Sequence, residues 1–343
     1  LADVPGAAYS FPWGTNVSLA ANASTTIPVR LTAVPSQLRN THAPAVAETQ
    51  PTQDGVLPRH WLSEESGYMT LQPASGAALR LALHAVVRPA SILSCTSTQI
   101  TLGAATGAVN LALAGQGVRT GSVFPTNWVS LASAFALQWR STNSAQYGCF
   151  RGCGVMTDWP AAQSGGGAFS NAWIAFGAAM SEAVPTLNGC QIEAHVDLNG
   201  DGLADRIVRT GSRVLASSDP SDIFGTWVKD VGTGVLTFQA SLHGMEPTGM
   251  PTAVFHSGAY FLLAKAGDMG LSTTNTRFQY HLETVVGGFA KDRTPSRAFD
   301  AFNPGFSYPA APGAFLLDAQ PGSNIVMRYD RAACQRDGVE GVL

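Results

Sequence analysis

Asp197, Asn199, Asp201 and Asp205 stand at positions 1, 3, 5 and 9 of the stretch D-L-N-G-D-G-L-A-D, with Gly202 at position 6. Alternate oxygen-bearing side chains followed by a glycine let a short loop wrap its donors around one hard cation. The carbonyl of Leu203, at position 7, adds a further oxygen. A donor set of oxygen alone is what Ca2+ takes, at about six to eight positions. An EF-hand loop carries a bidentate glutamate at position 12, where this chain has Val208. The last carboxylate must therefore come from elsewhere, and Asp222 or Asp219 is the nearest in sequence. The plainer alternative is an acidic turn in which Asn199-Gly200 and Asp201-Gly202 make only the bend.

The segments that must position this loop alternate like strands on both sides, over 191–196 and 204–210, whereas an EF-hand is flanked by helices. The expectation is a calcium loop joining two strands. Residues 25–33, 68–71, 78–87 and 109–114 read as further strands, separated by the turns P-A-S-G and G-A-A-T-G. Residues 1–118 are accordingly expected to form a fibronectin- or immunoglobulin-like β-sandwich, with a polar, proline-rich surface loop over 41–58. Residues 119–343 are expected to form a second, jelly-roll-like sandwich. Its strands fall at 129–137, 173–180, 191–196, 204–210, 224–228, 235–242, 254–264, 278–285 and 325–329. The fold class is thus all-β.

The chain has 343 residues, of which 13% are charged, about half the usual share. Among its 20 basic residues only Lys229, Lys265 and Lys291 are lysines. A net charge of −3 with no basic run argues against nucleic acid as partner. No apolar stretch is long enough to span a bilayer as a helix. The chain opens at Leu1 inside what reads as folded sequence, so it is expected to be a piece of a longer precursor. The spacing of Cys95, Cys149, Cys153, Cys190 and Cys334 fits no zinc motif. Beside a calcium loop, an oxidising compartment is the better reading. Cys149 and Cys153 are then the expected bridge, because C-F-R-G-C sits in a glycine-rich turn; five buried, reduced thiols are the alternative.

Several phrases, taken in order, resemble one known arrangement. These are P-R-H-W-L-S-E-E-S-G-Y-M-T-L (58–71), L-R-L-A-L-H-A-V-V-R-P-A-S (79–91), L-A-L-A-G-Q-G-V (111–118) and V-S-L-A-S-A-F-A-L-Q (129–138). They are joined by A-H-V-D-L-N-G-D-G-L-A-D (194–205), Tyr329-Asp330 and the closing G-V-E-G-V-L. Together they resemble the fibronectin-like and following region of large secreted bacterial subtilisin-like proteases, which comes after the catalytic domain. The resemblance implies an extracellular or cell-surface location and, as partner, the catalytic domain of the same precursor.

A subtilisin-like site needs a histidine in H-G-T and a serine in G-T-S, set so that imidazole can deprotonate the hydroxyl. Neither context occurs: His243-Gly244 continues with Met245, and no G-x-S-x-G elbow is present. The seven histidines are scattered one per strand or loop, and His195 alone lies beside the metal loop. Glu64 and Glu65 are adjacent and so point to opposite faces of a strand, which disfavours them as a hydrolytic pair. The expectation is a non-catalytic accessory region stabilised by Ca2+. Two alternatives stand beside it. One is a cell-surface or filament subunit pairing with copies of itself, to which an open strand edge at Gly341-Val342-Leu343 would contribute. The other is a carbohydrate-binding module presenting Trp128, Trp139, Trp159, Trp173 and Trp227.

Overall fold

The structure is a computed structural model that describes all residues except 1–2, 43, 53–54, 62, 122–126, 144, 214–221, 245–253 and 309–311. It is an all-β, sandwich-type fold of antiparallel sheets, none of them closed into a barrel. The principal strands are β1 (Glu64–Leu71), β2 (Leu79–Val86), β3 (Thr106–Gln116), β4 (Ala136–Arg140) and β5 (Phe150–Thr157). They continue with β6 (Trp173–Val184), β7 (Cys190–Asp197), β8 (Arg206–Ser212), β9 (Phe224–Asp230) and β10 (Leu236–Ser241). The last are β11 (Ser257–Lys265), β12 (Arg277–Val286), β13 (Phe289–Arg293), β14 (Arg297–Asp300) and β15 (Asn324–Asp330). Two short helices, α1 (Trp159–Ser164) and α2 (Arg331–Arg336), were not legible as helical periods because each is under two turns. Among the described residues no helix is long and apolar enough to cross a membrane.

Three sheets stack as layers. The outermost runs β10-β9-β8-β7-β12-β13, with β14 also pairing β12. The middle sheet runs β11-β6-β5-β4 and ends on the short strand Gly341–Val342. The third joins β15 to β3, with Phe306–Ser307 and Ile92–Cys95 at its edges. Ile192, Ala194 and Val196 of β7 and Phe278, Tyr280 and Leu282 of β12 pack against Ile174, Phe176 and Ala178 of β6. The opposite face of the middle sheet, with Met156, Ala175, Phe261 and Leu263, packs on Leu111, Leu113, Ile325 and Met327 of the third. Covered on both sides, β6 is a continuous apolar run, W-I-A-F-G-A-A-M, instead of an alternating one.

Two expectations are modified by this packing. The third sheet joins β3 to β15 from Gly107↔Tyr329 to Ala112↔Asn324, so the expected boundary at residue 118 runs through a sheet. Before it, the described residues form two-stranded antiparallel pairs, with a small core of Val4, Leu38 and Val87.

The glycine-rich stretch 149–153, expected to be a disulfide turn, enters the buried strand β5 at Phe150. In extended chain, Cys149 and Cys153 are about 13 Å apart at about 3.3 Å per residue, beyond the ~7 Å limit of a disulfide. All five cysteines are free thiols. Gly154 serves close packing here: a Cβ would lie 2.6 Å from the Ala136 carbonyl oxygen.

The terminal residues are the edge of the middle sheet among the described residues: Val342 pairs with Ala136 on one side, and the Leu343 amide donates to the Phe135 carbonyl at 2.9 Å.

Candidate metal centre

The loop closes the β7–β8 hairpin, whose register ends at Val196↔Arg206. Gly200 and Gly202 take φ of +80° and +85°, left-handed conformations that only glycine adopts without strain. These two bends let the loop double back so that its amides reach Asp197. Asp197, 8% exposed, accepts from the amides of Asn199 (3.1 Å) and Gly200 (2.6 Å) on Oδ1 and of Gly202 (2.8 Å) on Oδ2. Asn199 Oδ1 accepts from the Asp201 amide and Asp201 Oδ1 from the Leu203 amide, both at 2.8 Å. Asp205 Oδ2 accepts from the Leu198 amide at 2.7 Å, and Asn199 Nδ2 donates to Asp201 Oδ2 at 3.1 Å. The backbone has thus fixed four side chains that sequence spacing placed in one loop. Leu203 directs its side chain to solvent, 73% exposed, as a position that contributes only backbone allows.

The donor set fits Ca2+. It is all oxygen, three of the four side chains are carboxylates, and each carboxylate keeps lone pairs beyond those its amide donors use. Three loop carboxylates in nine residues also repel one another unless a cation is present.

Of the residues sought to complete the shell, Asp219 lies outside the described residues. Asp222 is described and is not near the loop. Register places Arg206 opposite Asp230 and Ser212 opposite Phe224, so Asp222 sits at the far end of the hairpin, about 20 Å away at strand rise. Its Oδ2 instead accepts from Arg59 Nε at 2.7 Å. The carboxylate beside the loop is Asp230, missed from sequence, which pairs with Arg206 at 2.9 Å. The adjoining Val231 amide donates to the Asp205 carbonyl at 3.0 Å.

His195 leads from the loop into the open face of the outer sheet. Its partner in register is His281, and the two rings stack at 4.8 Å with an interplanar angle of 16°. His195 Nε2 lies 3.1 Å from Glu193 Oε2. Burial alone would raise the Glu193 pKa, but the hydrogen bond to His195 and the neighbouring Arg209 bring it below its ordinary value. Burial, with His195 and Arg293 adjacent, lowers His281 to about 4, which keeps its imidazole neutral. His281 and Glu283 were not singled out from sequence, because nothing local shows that β12 pairs with β7.

Two of the five tryptophans considered for sugar stacking are buried. Trp159 packs edge-on to Phe169 and Trp227 edge-on to Phe238, both buried, while Lys265 lies 5.4 Å over the ring of Trp173. No family model matches the chain, and comparison with characterised proteins and with solved structures finds no match.

Proposed function

We propose that the chain is a calcium-stabilised, non-catalytic accessory region of a secreted subtilisin-like protease, acting in stabilisation or attachment beside the catalytic domain of its precursor. The observation that carries the calcium part is the β7–β8 loop, where Asp197, Asn199, Asp201 and Asp205 share one turn and are each held by its amides or side chains. An ion there would hold the centre of the outer sheet and, through it, the larger core. The accessory part rests on the ordered phrases quoted above, and the β1–β2 hairpin agrees with it. One face of that hairpin carries Met69, Leu71, Leu79, Leu81 and Leu83, with Leu79 62% and Leu81 47% exposed. Apolar area of this kind is normally covered by a neighbour, and the catalytic domain is the neighbour this reading supplies.

The same face would serve a structural subunit that packs against copies of itself, so the two readings separate on assembly. Purified chain that binds Ca2+ by calorimetry, remains monomeric by electron microscopy and leaves casein intact is the expected result. Regular polymers would favour the structural subunit. Casein cleavage that survives repurification and is stopped by a serine-directed phosphonate would overturn the non-catalytic assignment.

A further inference from the structure

The open face of the outer sheet holds a second group of ligating side chains, distinct in chemistry from the oxygen loop. Among the described residues, His195, His281 and Glu283 are the one set of three whose ligand atoms all lie within 4.8 Å of one another. The loop carboxylates do not converge so closely. His195 and His281 are directly opposed across β7 and β12, and Glu283 follows His281 by two residues on the same face. Ligands held about 2.0–2.2 Å from Zn2+ sit about 3.4 Å apart at tetrahedral angles, so side-chain rotation alone would close this group on an ion.

The surroundings of His195 are those of a ligating histidine. His195 Nε2 is engaged with Glu193 at 3.1 Å, which leaves Nδ1 to ligate, whereas His281 Nδ1 accepts from Arg293 at 3.4 Å, a contact that an ion on that ring would have to displace. A carboxylate on the far nitrogen of an imidazole fixes its orientation and strengthens it as a ligand. Glu283 differs from Glu193. Glu193 has His195 and, at 3.8 Å, Arg209, whereas Glu283 has no hydrogen-bond or ion-pair partner among the described residues. A half-buried carboxylate without a partner, beside two imidazoles, is stabilised by a cation placed between them.

We propose that His195, His281 and Glu283 bind one divalent transition-metal ion of the Zn2+ class. Two imidazoles and a carboxylate are nitrogen-rich for Ca2+ but suit zinc, and three protein ligands leave a position open for water or a further ligand. The site does not depend on the calcium reading, since it shares no ligand with the loop.

The test is calorimetric titration of ZnCl2 into the full chain held at saturating Ca2+, followed by Co2+ substitution. The expected result is one Zn2+ per chain, with cobalt ligand-field bands free of thiolate charge transfer. His281→Ala and Glu283→Gln should each weaken binding at least tenfold, with metal-free melting temperatures near that of the parent chain. Glu193→Gln should weaken it about 10–100-fold through His195. Absence of zinc binding, binding retained in both His281→Ala and Glu283→Gln, or a thiolate signature in the cobalt spectrum would overturn the assignment. Of the two ligand variants, Glu283→Gln is nearly isosteric and keeps the test available should His281→Ala fail to fold.

Discussion

Tyr280 of the outer sheet donates its hydroxyl to Gln138 Oε1 of the middle sheet at 2.7 Å, across the floor of the main core. Gln138 is fully buried, and its Nε2 donates to the carbonyls of Ala298 (2.7 Å) and Asp337 (2.5 Å). One amide therefore joins β4 to β12, to β14 and to the turn after α2. Burial holds the Tyr280 hydroxyl well above its ordinary pKa, so it stays a donor.

Gln138→Leu should leave that hydroxyl and two carbonyls unpaired, at about 1–3 kcal/mol for each buried group left unsatisfied. Tyr280→Phe should cost about 1 kcal/mol, and the double variant should recover part of the Gln138→Leu loss. Denaturant midpoints at constant slope measure this. A Gln138→Leu midpoint no lower than that of Tyr280→Phe would show that the amide does not join the sheets.

Calcium should raise the melting temperature, with stabilisation growing by about 1.4 kcal/mol per tenfold free ion above the dissociation constant. Asp201→Ala should abolish the shift. Asp222→Ala should leave it intact while loosening the contact with Arg59, because Asp222 lies at the other end of the hairpin. Magnesium should substitute poorly, since it demands a smaller, near-octahedral shell. A melting curve indifferent to chelator would reduce the loop to an ordinary turn.

The thiols should differ in reactivity. Burial pushes Cys153 up to about 12 and Cys190 up to about 11, so at neutral pH both hold their protons and react slowly. Cys95 is exposed and should alkylate first. Mass mapping after brief iodoacetamide treatment should find Cys95 labelled and Cys153 unmodified. Labelling of Cys153 at a comparable rate would mean that β5 opens readily.

What the sequence by itself determined is local. Period-two alternation located most strands, because a half-buried strand must send successive side chains to opposite faces. The spacing of Asp197, Asn199, Asp201 and Asp205 marked one loop, because those donors and both glycines lie within nine residues. Tertiary structure decided what depends on partners distant in the chain. His195 faces His281 across a pairing that spans more than eighty residues, and Asp222 turned to Arg59 instead of the loop. Residues 149–153, which read as a glycine-rich turn, lead into the buried strand Phe150–Thr157, where Gly154 admits the neighbouring backbone at Ala136. Side-chain type limits what a residue can bind, but which residues meet is set by burying three sheets against one another, and no local window contains that sum.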